Sequence, residues 1–170
     1  VVVAGETVLE PIYVAKIGEE GHRTLQEAID KAVAGDNTIQ LLANIDGDVT
    51  ILQQEGINIV IDGKNYQFGG TIYVNGNNRH TGAETLTIQN VNFYTEKTSH
   101  DFISSNIANQ YTHNVTVKDC NFATSETNEN NTVVGLRLRQ AYDIAVENCT
   151  SNHIFSLMWS AAVDGLALNN

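Results

Sequence analysis

Arg137 and Arg139 alternate with Leu136 and Leu138, so in a strand both guanidiniums leave one face while the leucines point inward. They form the best cation pair in a chain with nine Lys and Arg against 20 Asp and Glu. Asp101, His100, Tyr73 and Trp159 belong to equivalent or nearby strands and can share that face. Cations, a carboxylate, an imidazole and aromatic rings on one surface suit stacking and hydrogen bonding to a sugar, or proton transfer by a positioned base. The plainer alternative is that exposed arginines keep an acidic surface soluble and offset Glu126, Glu129 and Glu147.

Two polar excursions, Thr95 to His100 and Ala123 to Thr132, leave the repeating pattern at corresponding places. Insertions in repeat proteins collect on one face, often the binding face, so a shallow groove with Tyr94, Tyr73, Arg137 and Trp159 can hold a glycan. Solvated loops without a ligand are the alternative. The histidines (His22, His80, His100, His113 and His153) are scattered, and none has a Ser or Cys partner in a nucleophile motif. His113 and His153 read as hydrogen-bonded residues near corners. Asp46-Gly47-Asp48 is too short for a calcium loop. The sequons at Asn114, Asn130 and Asn148 carry little weight, because Asn148 belongs to a repeated position.

What must position these groups is a repeat. Leu86-Thr-Ile-Gln-Asn-Val-Asn-Phe93 returns as Val115 to Phe122 and as Ile144 to Ser151, with a looser copy at Ile59 to Tyr66 and a truncated one at Leu166 to Asn170. Successive copies start 27, 29, 29 and 22 residues apart. Periods of this size mean units that bury their apolar faces against their neighbours. Each repeat carries a second strand, at Thr71 to Val74, Asp101 to Ser104, Gly135 to Leu138 and Phe155 to Met158. Like pairs with like one repeat on, which is parallel stacking.

The register names two inward ladders: Ile59, Leu86, Val115, Ile144 and Leu166, and Ile61, Ile88, Val117, Val146 and Leu168. Phe93 stacks on Phe122 with Tyr66 as the earlier member, and Val91 precedes Cys120 and Cys149. At a strand spacing of roughly 4.8 Å the cysteines read as buried thiols, with a disulfide as the lesser alternative. Gly63, Asn90, Asp119, Asn148 and Asn170 form one polar column, and Asn65, Asn92, Asn121 and Thr150 another. Both read as turn chemistry.

The N-terminal part, residues 1–37, reads as an apolar run at Val1 to Ala4, a strand from Pro11 to Ile17 and an amphipathic helix over about 24–34. Thr24 to Glu27 is a capping box, Leu25, Ala28, Ile29, Ala32 and Val33 share a face, and Gly35 is a natural stop. Laid across the first strands, the helix would cover an open edge. Residues 38–170 are then parallel β repeats, expected to continue beyond Asn170 or to be covered there by another copy.

A net charge of −11 disfavours nucleic acid and anionic membrane surfaces, and no apolar run of transmembrane length occurs. Asn, Thr, Gly and Ser fill the polar positions, as in a β-rich extracellular protein.

These residues resemble the right-handed parallel β-helix of the pectate-lyase-like superfamily, among secreted and surface-attached bacterial proteins. The segment Thr24 to Ala32, followed by Gly35-Asp36 and a strand, resembles the N-terminal cap of that superfamily. The resemblance implies an all-β, single-stranded solenoid. On that frame the outward residues read as adhesion or carbohydrate binding through Tyr73, Tyr94, His100 and Trp159, while the enzymes of the superfamily imply a polysaccharide lyase or glycoside hydrolase on an acidic polysaccharide. In the lyase reading Arg137, Arg139 and Asp101 are the catalytic candidates and calcium the one cofactor. Paired Asp-Asp, Gly-His-Gly and Arg-Ile-Lys signatures are absent, so the expectation is a cell-surface glycan-binding module without a metal, with a purely structural spacer as the remaining reading.

Overall fold

The computed structural model describes residues 12–76, 82–105, 111–127 and 130–169; the apolar run at Val1 to Ala4, Pro11, His80, Glu129 and Asn170 lie outside them. In chain order the elements are β1 (Ala15–Ile17), β2 (Glu20–His22), α1 (Leu25–Ile29), β3 (Gly35–Leu41), β4 (Val49–Leu52), β5 (Ile57–Asp62), β6 (Gln67–Phe68) and β7 (Ile72–Asn75). There follow β8 (Leu86–Gln89), β9 (Asn92–Thr95), β10 (Ser99–Ser105), β11 (Thr112–Lys118), β12 (Asn121–Thr124), β13 (Thr132–Glu147), β14 (Thr150–Asn152) and β15 (Ser156–Asn169). The described chain is thus mostly β, with one short helix.

An 11-stranded sheet runs β2-β1-β3-β5-β8-β11-β13-β10-β7-β4, with β15 added on β13, and a four-stranded sheet runs β14-β12-β9-β6. Apart from the antiparallel pairs β1 with β2 and β1 with β3, the pairing is parallel. The first ladder pairs Ile59 with Leu86, Val115, Ile144 and Leu166 in turn, as the repeats predict. It extends one strand earlier, to Asn37 opposite Ile59 and Ile39 opposite Ile61. A second row pairs Phe68, Phe93, Phe122 and Ser151, and a third pairs Val49, Ile72, Ile103, Leu136 and Met158. Their inward side chains form one apolar cluster. The last ladder members are less enclosed: Leu166 and Leu168, on edge strand β15, are exposed.

The phenylalanine row corrects one expectation. Phe93 stacks flat on Phe122 at 4.7 Å, but its earlier neighbour is Phe68, edge-on at 5.8 Å, and Tyr66 is exposed. Lys64 and Asn65, both at positive φ, add two residues to this turn and shift the next strand's register.

Corners carry residues that tolerate left-handed backbone. Asn90, Asp119 and Asn148 have φ of 55°, 53° and 49°. A second such column, Asn114, Asp143 and Gly165, turns the chain between the first and third rows, with Gln140 and Ala162 three residues earlier in β13 and β15. Side-chain bonds run along the columns: Asn90 to Asp62, Asn148 to Asp119, Asn92 to the Asn65 carbonyl and Thr150 to Asn121. Each satisfies a polar group that the turn would otherwise leave to water.

The N-terminal cover differs from the expected long helix. The capping box at Thr24 and Glu27 is present, but α1 ends at Ile29, capped by Asp30, and Val33 is exposed. Leu25, Ala28 and Ile29 are buried. The β1–β2 pair covers β3, while the Gln26 side chain closes the edge of β4 by exchanging hydrogen bonds with the Thr50 backbone.

Candidate functional site

Parallel pairing in register sends equivalent residues of β4, β7, β10, β13 and β15 to one outer face. One row across it is Thr50, Tyr73, Ser104, Arg137 and Trp159. Arg137 Nε donates to Asp101 Oδ2 at 2.7 Å, and its guanidinium carbon lies 4.9 Å from the Trp159 ring centroid. Arg139 reaches the same ring at 5.5 Å. Two cations therefore lie within cation–π distance of the indole. Ser104 is buried in the row, and Tyr73 is 40% exposed. The neighbouring Ser105 hydroxyl bonds both backbone groups of Arg139, holding that strand position.

The structure thus joins Asp101, Arg137, Arg139 and Trp159, with Tyr73 in the same row. His100 and Tyr94 lie elsewhere. His100 points inward: its Nε2 bonds the Gly70 carbonyl at 3.0 Å, and its ring packs edge-on against Phe102 at 4.8 Å. Burial holds its pKa below the ordinary histidine range, opposed by the Gly70 carbonyl. Its position in the alternation of β10, one residue before outward Asp101, was the available signal.

Tyr94 belongs to β9 of the other sheet, so it is not in the row with Tyr73, Arg137 and Trp159. It lines an open cleft of about 550 Å³ together with Asp46, Gln67, Gly69, Thr95, Glu96 and Lys97. In the sequence Asp46-Gly47 and Gly69-Gly70 read as turns, and nothing there singles out Gln67. The loop behind Tyr94 is short: β9 ends at Thr95 and β10 begins at Ser99, pairing there with Thr132 at the end of the longer corresponding excursion.

The other ionisable groups serve the frame. Burial raises the Asp62 pKa, but hydrogen bonds from Lys64 and Asn90 outweigh it and hold the carboxyl below the usual range. His113 is buried in β11 beside Glu84 at 3.1 Å, and its Nδ1 faces the Tyr111 carbonyl. His22 is buried near Glu20, and His153 is at positive φ near Glu126. Cys120 and Cys149 are free and buried, and their thiols donate to the Lys118 and Glu147 carbonyls. The hydrogen bond with Cys149, and then burial, push the Cys120 thiol well above the ordinary range. Among the sequons, the Asn114 amide is spent on the Gly82 and Glu84 carbonyls and that of Asn148 on Asp119, while Asn130 is exposed.

Among the described residues, no group of three or more His, Cys, Asp and Glu is placed to hold a metal ion, and no helix is long and apolar enough to cross a membrane. No family model, curated protein or solved structure matches the chain.

Proposed function

We propose that the chain is a right-handed, single-stranded parallel β-helix module that binds carbohydrate at a cell surface or outside the cell. Three parallel rows with one shared core, and corner columns of Asn, Asp and Gly, support the solenoid reading. The observation that carries the binding reading is the outer row, in which Trp159 is braced by Arg137 and Arg139 and aligned with exposed Tyr73. Three strand spacings separate Tyr73 from Trp159, roughly 14 Å, a span for an extended oligosaccharide. Flat rings give stacking area, and the part-exposed Arg137 guanidinium between them gives directional hydrogen bonds.

The same geometry argues for binding over elimination. The Nε of Arg137 is committed to Asp101 and its guanidinium is stacked on Trp159, so it works as a fixed cation rather than a base facing a sugar proton.

A glycan array followed by titration calorimetry tests the reading. Binding that falls about tenfold or more in Trp159→Ala and Tyr73→Ala, with unchanged circular dichroism, is expected. Release of unsaturated product from an acidic polysaccharide, read by ultraviolet absorbance with and without calcium and lost in Arg137→Ala, would replace it with the lyase reading. A protein that binds no glycan leaves only the spacer role.

A further inference from the structure

The cleft beside Tyr94 is separate from the outer row and has a different electrostatic character. Gln67 and Tyr94 lie on the outer side of neighbouring strands β6 and β9, each one residue from an inward phenylalanine, Phe68 and Phe93. Gly69 lies between the walls: a Cβ there would stand 2.8 Å from the Asp46 carboxylate and 3.3 Å from the Tyr94 carbonyl. Glycine at this position leaves room for the Asp46 carboxylate beside the Tyr94 carbonyl. Asp46, Glu96 and Lys97 are exposed on the rim. Two carboxylates against one ammonium leave the cleft with an excess negative charge, on a chain whose net charge is −11.

A ligand for this space must offer an apolar face to the phenol ring, hydroxyls to the Gln67 amide and a positive group to the carboxylates. Acidic sugars fail the last requirement, since their carboxylates would meet Asp46 and Glu96. Neutral sugars satisfy the first two and leave the charge unused. We infer that the Tyr94 cleft is a binding site for an amino sugar with a free ammonium group, a glucosamine-type residue stacked on Tyr94 and ion-paired with Asp46 and Glu96. The ring discriminates it from linear polyamines and lysine peptides, and the charge discriminates it from its N-acetylated form.

The test is calorimetry at pH 6 with a glucosamine oligomer, its fully N-acetylated counterpart, a galacturonate oligomer and tetralysine. The glucosamine oligomer is expected to bind about tenfold or more tightly than the other three, since it alone combines a ring face with an ammonium group. Binding should weaken as salt is raised from low ionic strength. Asp46→Asn and Tyr94→Ala should each lose about tenfold, the first chiefly against the amino sugar and the second against acetylated and free sugar alike. Equal binding of tetralysine would reduce the cleft to a nonspecific anionic patch and overturn the inference. So would equal or tighter binding of the acetylated oligomer, or glucosamine binding that survives both substitutions. If the glucosamine oligomer fails while another glycan still binds in a Trp159-dependent way, this inference falls and the carbohydrate role of the outer row stands.

Discussion

The Gln26 side chain acts as a short strand for Thr50: its Nε2 donates to the Thr50 carbonyl at 3.0 Å, and its Oε1 accepts from the Thr50 amide at 2.7 Å. Strand β4 ends the 11-stranded sheet, so these backbone groups would otherwise face solvent or another chain. Gln26→Ala should cost about 1–2 kcal/mol in denaturant unfolding and raise self-association in sedimentation velocity. Gln26→Glu keeps an acceptor but loses the donor, and should fall between the two. Unchanged stability and association in Gln26→Ala would mean that the edge needs no cover.

The phenylalanine register makes a sharper contrast. Phe93 is fully buried against Phe68, Phe102 and Phe122, whereas Tyr66, the residue that the repeat alignment puts in the same series, is exposed. Phe93→Ala should destabilise by about 3–5 kcal/mol and Tyr66→Ala by less than about 1 kcal/mol, measured by urea denaturation. Similar costs at both positions would restore Tyr66 to the core.

Ala162 and Gly165 share the last corner, both at positive φ. Alanine there carries steric strain that glycine does not, partly offset by the greater freedom of glycine in the unfolded chain. Ala162→Gly should therefore stabilise, by about 0.5–1 kcal/mol. Gly165→Ala should destabilise, since the strain comes with a Cβ 2.5 Å from the Asp143 carboxylate. Thermal melting of both variants checks the opposite signs.

Stability should decline on acidification in two stages. The pKa of His100 is lowered in the fold by burial, so the unfolded chain takes up a proton first. Its contribution is complete above about pH 6.5 and declines below it, by at most about 1.4 kcal/mol per pH unit, until the folded pKa is reached. The carboxyl of Asp62 runs at lower pH: its folded pKa is depressed, so its contribution is present above about pH 3.9 and is lost as pH falls through the folded value. His100→Gln should flatten the profile between pH 7 and 5, and Asp62→Asn should flatten it below pH 4. Urea midpoints from pH 3 to 8 check both.

The sequence alone determined the register of the first row. The Ile59, Leu86, Val115, Ile144 and Leu166 series, the Asn90, Asp119 and Asn148 corner and the cysteine pair were legible because pairing a repeat with its own copy preserves spacing. Where spacing changed, the reading failed: Lys64 and Asn65 lengthen one turn, and Phe68 replaced Tyr66. The helix was overread because Ala32 and Val33 continue the apolar period, while the chain turns after Asp30 toward β3.

The candidate sites depended more heavily on tertiary structure. Repeat alignment could bring Tyr73, Arg137 and Trp159 to one row, since they occupy equivalent strands. It could not show that Arg137 closes on Asp101 while His100, adjacent in sequence, turns into the core. Nor could it separate Tyr94 from that row or bring Asp46 to its side, because which sheet a strand joins depends on how each corner bends the chain. Local periodicity sets which residues point in or out; the corners decide which outward residues meet.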